Sequence, residues 1–177
     1  EYSDIIQVFI PELKDTVIEQ SIASINRSLL NANIRMAILL KDIPNAKEIL
    51  ERLKYSGAEQ TVILNCIKHS TKSLTSKIEL KQFLSKLNIP FDIYHTYRYA
   101  IDTDYPRYNM LAYYHEIQDA SEPYLLKHLA IDGNTIKGIG YQGKEIADVL
   151  HACLDEVIHH PENNDAKILI DMIKRTD

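Results

Sequence analysis

Only two of the 177 residues are cysteine, five are glycine, six are proline and none is tryptophan. Cys66 and Cys153 stand among apolar residues at helical spacing, with no metal-ligand pattern between them. They read as buried thiols in a reducing compartment, which makes the cytoplasm the expected location. No apolar run approaches the ~18 residues of a membrane span, and no basic-then-apolar leader opens the chain. His115, His128 and His151 lack H-x-x-x-H spacing, and the adjacent His159 and His160 point to different sides of a helix, so no metal site is expected. The chain opens on Glu1 rather than Met, which leaves open an excised piece of something longer.

What is present is ordinary globular composition, 45% hydrophobic and 25% charged, sufficient for one compact domain or two small ones sharing a core. A net charge of −5 argues against indiscriminate nucleic-acid binding, which rests on many phosphate contacts. The charge is uneven, however. Lys68, Lys72, Lys77, Lys81, Lys86 and Arg98 face only Glu79 and Asp92 over residues 68–98. That stretch reads either as a local basic face for a shape-selected polyanion or as ordinary solvated lysines.

Helical periodicity dominates and no convincing strand is found, so an all-α bundle with a small C-terminal helical tail is predicted. Ile5, Ile6 and Phe9 form a first stripe ending at Pro11; Val17, Ile18, Ile22, Ile25 and Leu29 form a second. Met36 to Leu40 is almost wholly apolar and reads as a central core helix. Ser56 with Glu59, and Ser76 with Glu79, have capping-box spacing. Seven of the eleven tyrosines fall between Tyr94 and Tyr114 and read as core-edge groups or as stacking platforms for nucleotides. After Pro123 a distinct small unit is expected, with a turn at Asp132-Gly133, a long stripe from Ile146 to Ile158, and Asn164 capping a last helix.

The most informative stretch is Ile136 to Leu150, IKGIGYQGKEIADVL. Gly138 and Gly140 lie two apart in a short turn, and an amphipathic helix follows from Gly143 or Lys144. A helix start with unpaired N–H groups attracts phosphate. Lys144 is an unfavourable residue for an isolated helix N-terminus, which points to an external anion there. The segment resembles the helix-hairpin-helix element that grips nucleic-acid backbones; a plain helical corner is the other reading. Lys137, Gly138, Gly140, Tyr141, Gly143 and Lys144 are the candidate RNA-binding residues. Tyr141 would either stack on a loop base or ribose or close the hairpin against the core.

Several segments in order resemble the C-terminal half of bacterial CCA-adding tRNA nucleotidyltransferases, in the class II poly(A) polymerase-like family. They are Phe9-Ile10-Pro11-Glu12-Leu13, the run Ile34 to Ile43 (IRMAILLKDI), Ala46 to Ser56, Val62 to His69, and LAIDGNTIKGIG with GKEIADVL and His160 to Asn164. The resemblance implies a neck and body over residues 1–122, with a degenerate HD segment, and a tRNA-binding tail over 123–177. It further implies tRNA as partner, through its T-arm or elbow and its acceptor stem, together with the protein's own N-terminal catalytic head. That head would add CMP and AMP from CTP and ATP with Mg²⁺.

The head's signatures, a Gly-Ser before a helix, a paired-acid strand and an arginine-rich strand, are not in this sequence. Asp102-Thr103-Asp104 lies before Pro106 without them and reads as loop. In the HD segment Lys41 replaces the metal-binding histidine, and an ammonium has no lone pair for a metal. No histidine precedes His69, and Asp42 is expected to cap a helix or pair with Lys41 or Arg35. This chain alone is therefore expected to position tRNA rather than make bonds, with no cofactor of its own. Two other readings stay open, a stand-alone nucleic-acid-binding module and a non-catalytic HD-fold scaffold.

Overall fold

The computed structural model describes residues 2–176. Among them are eleven α-helices, two short 3-10 turns and no strand, the all-α class that the periodicity predicts. No helix of the described residues is long and apolar enough to cross a membrane. Packing separates two compact units, one joining Glu1–Ser73 to Leu87–Arg107, the other Leu74–Lys86 to Tyr108–Asp177. These boundaries differ from the break expected at 122/123, because residues 74–86 and 108–122 pack with the last third.

The first unit holds α1 (Tyr2–Phe9), α2 (Asp15–Arg27), α3 (Ala32–Leu40), α4 (Ala46–Arg52), α5 (Gly57–Lys68) and α7 (Phe91–Ile101). Its centre is α3. Asn31 caps that helix by accepting from the Ile34 N–H at 3.1 Å, and Ile34, Ala37, Ile38 and Leu40 are buried where it meets α2, α5 and α7. The Ser56–Glu59 capping box opens α5 as the spacing predicts. In the Phe9–Leu13 segment Ile10 and Leu13 are buried, while Glu12 accepts both Nη groups of Arg52 at 2.8 and 2.7 Å. That guanidinium holds the Glu12 carboxyl down to about 2.

Two expected stripes turn out only partly inside. Ile5 and Phe9 of α1 are 59% and 62% exposed, and Ile22 and Leu29 are exposed too. On α2 the buried positions are Ile18 and Ser21, so the helix is rotated from the face that the apolar spacing picks out.

The second unit holds α6 (Lys77–Leu84), α8 (Arg107–Asp119, whose first residue belongs to the other unit), α9 (Gly133–Gly138), α10 (Lys144–His159) and α11 (Ala166–Thr176). Ile131, Ile136, Cys153, Val157, Leu169 and Ile173 form a small core there. Lys81 of α6 is buried at 1% exposure, and its ammonium donates to Glu122 at 2.9 Å. Lys77 donates to the other carboxylate oxygen at 2.8 Å, which ties α6 to the chain beyond α8.

Asn164 does not cap α11. Asp165 does, accepting from the N–H groups of Lys167 and Ile168 at 2.9 and 3.2 Å. Asn164 instead cross-links distant backbone, accepting from Ala130 N at 2.8 Å and donating to His128 O at 2.9 Å.

Candidate nucleic-acid interface

The glycine corner joins α9 to α10 and is built from its caps inward. Asp132 accepts from the backbone and hydroxyl of Thr135, both at 2.9 Å, and so fixes the first turn of α9. Those bonds hold the Asp132 carboxyl below the usual carboxylate range, the backbone one contributing most. Ile136, fully buried, seats α9 in the small core, and Ile139 and Tyr141 pack against the same core. Tyr141 is half-buried against that core.

The corner itself faces outward. Lys137, Gly138, Gly140, Gln142, Gly143 and Lys144 are all exposed. The glycines divide in a way that their spacing does not reveal. Gly138 is the last residue of α9 with no positive φ, whereas Gly140 has φ +116° and Gly143 has φ +57° with ψ −126°. Backbone conformation therefore demands glycine at 140 and 143, and leaves 138 free. Nothing lies within 4 Å of a Cβ added at any of the three. Gly143→Ala should accordingly cost about 1–3 kcal/mol through backbone strain alone. Gly138→Ala should be neutral or stabilise by up to about 1 kcal/mol. Urea denaturation of the two variants checks the pair, and an equal response would show that the turn relaxes freely.

Charge at the corner is mixed. Among the described residues, no ion pair engages Lys137 or Lys144, and no acceptor meets the N–H groups of Gly143 and Lys144. An acid sits beside them all the same. Glu145 lies in the first turn of α10, and its Oε2 accepts from Gln142 N at 3.4 Å. Glu145 is thus an internal anion at the helix start where the sequence pattern points to an external one, and a Glu in the first turn suits the dipole. The corner can hold a phosphate only if Lys137, Lys144 and the two free amides outweigh that carboxylate.

The chain matches no family model, no curated protein and no solved structure.

Other candidate residues find structural places. Lys41 pairs with Asp42. Asp102 ends α7, accepts from Arg98 at 2.8 Å and takes the Asp104 N–H at 3.0 Å, which makes the Asp-Thr-Asp segment a closed loop. Tyr94, Tyr97 and Tyr105 are buried, and burial pushes all three hydroxyls well above the ordinary tyrosine range. His95 lies beside Tyr105, its Nδ1 3.2 Å from the hydroxyl, and burial lowers that imidazole. Tyr108, by contrast, is 72% exposed. Half of the basic stretch is consumed internally, since Lys77, Lys81 and Arg98 are engaged by Glu122 and Asp102. Lys68, Lys72 and Lys86 remain exposed.

Proposed function

We propose that this chain is the tRNA-binding body and tail of a tRNA nucleotidyltransferase. On this reading it positions tRNA for a catalytic head that is not part of the sequence. The ordered resemblance from Phe9 to Asn164 supports the family. The exposed corner from Lys137 to Lys144 carries the binding reading, because close backbone, free amides and two lysines are what a sugar–phosphate chain requires. Binding of this kind fixes register without reading bases. The CMP and AMP additions, with CTP, ATP and Mg²⁺, would belong to the head.

Fluorescence anisotropy with tRNA and with duplex DNA, each over a salt series, tests the proposal. The expected outcome is preference for tRNA. Lys144→Glu should weaken binding and lower the salt slope by roughly one phosphate contact, with far-UV circular dichroism unchanged. Unaltered affinity of Lys144→Glu at low salt would remove the corner from the interface. Equal binding of DNA would favour a stand-alone nucleic-acid module, and no binding to either at low salt would favour the scaffold reading.

A further inference from the structure

A second feature of the C-terminal unit shares no residue with the glycine corner. Ile168, Asp171, Met172 and Arg175 recur at three- and four-residue spacing and form one stripe of α11. The adjoining face carries Leu169 and Ile173 into the small core. Together with Glu156 of α10 and Asn163 of the 161–163 turn, the stripe lines a cleft of about 340 Å³. Small-molecule sites begin at roughly 300 Å³.

The cleft's polar groups are held and available. Asn163 donates its side-chain amide to Glu156 Oε1 at 2.7 Å. Asn163 is itself fixed, its N–H donating to His160 O at 2.9 Å and its C=O accepting from Asp165 N at 2.8 Å. The Glu156 carboxylate is thereby oriented with one oxygen to spare. Asp171 and Arg175 stand one turn apart, where an ion pair commonly closes, yet they form none among the described residues. Two carboxylates and one guanidinium thus surround the apolar surface of Ile168 and Met172.

We propose that this cleft binds a basic residue bearing a free carboxylate, either a free basic amino acid or the C-terminal lysine of a polypeptide. The ligand carboxylate takes the Arg175 fork, which matches it in geometry. The side-chain ammonium goes to Glu156 and Asp171, and the methylene stem lies over Ile168 and Met172, as long cationic side chains do on apolar surface. The assignment is independent of the nucleic-acid reading.

The test is a titration of the full chain, followed by the ¹³C signal of the Met172 methyl. The probes are free lysine, a short peptide ending in lysine, lysinamide and norleucine. Lysine, the peptide or both should give a saturable shift with a Kd of about 1 mM or tighter. Lysinamide, without the carboxylate, and norleucine, without the side-chain ammonium, should bind at least about tenfold more weakly. Asp171→Asn and Arg175→Gln lie on the exposed side of α11 and should each raise the Kd by a similar factor in a folded protein. Saturation by free lysine supports an amino-acid site, and saturation by the peptide alone supports capture of a chain terminus. No saturable shift with either, or equal affinity for norleucine, overturns the assignment.

Discussion

Glu122→Gln is expected to destabilise the second unit by about 3–5 kcal/mol, the cost of leaving one member of a buried ion pair without its partner. Lys81 has 2% of its side chain exposed and Glu122 has 13%, so water replaces the lost interaction only poorly. The midpoint of urea denaturation reports the loss. A control separates charge from packing. Lys81→Met combined with Glu122→Leu should recover most of the stability, because a well-packed apolar pair escapes the desolvation of two charges. A single variant as stable as the parent would mean that Lys81 reaches solvent.

The same pair sets an acid limit. Burial pushes the Glu122 carboxyl up, but the hydrogen bonds from Lys77 and Lys81 outweigh it and hold the group below the usual carboxylate range. A carboxyl depressed in the folded state contributes stability that is full above its unfolded value, roughly 4.3. That contribution drains away as pH falls through the folded value. In Glu122→Gln this part of the acid limb should vanish.

Ile136→Ala is the second large effect. Ile136 is fully buried and is the one buried residue of a helix only six residues long. Removing it should cost about 2–5 kcal/mol through lost transfer energy and the cavity left behind. A second consequence is local. The glycine corner hangs from α9, so amide exchange should accelerate from Ile139 to Glu145 before the rest of α10 responds. On the proposed function, tRNA affinity falls in this variant although no cation is touched. Fast exchange with unchanged affinity would detach RNA binding from the corner without affecting the packing argument.

The legible parts of the molecule are those governed by neighbours in sequence. Ser56 and Glu59 announce the start of α5, Met36 to Leu40 a buried helix, and Ile146 to Ile158 the long stripe of α10. Residues whose partner is remote in sequence were not legible. Lys81 reads as one more surface lysine because the acid that buries it lies 41 positions away. Asn164 reads as a helix cap because nothing local reveals His128 and Ala130 as its partners. Ile5 and Phe9 show the same limit from the other side, since periodicity defines an apolar face but supplies nothing to cover it. At the candidate site, spacing found the glycines but not their dihedral angles. Spacing pairs Gly138 with Gly140, whereas it is Gly143 that shares the unusual backbone.

The sealed ammonium of Lys81 gives the chain an internal clock for its own breathing. An amine-directed acylating reagent meets Lys68, Lys86 or Lys144 in the resting protein, but it reaches Lys81 only after α6 lifts away from Glu122. Label accumulating at that one side chain therefore counts opening events of the second unit, without any engineered probe.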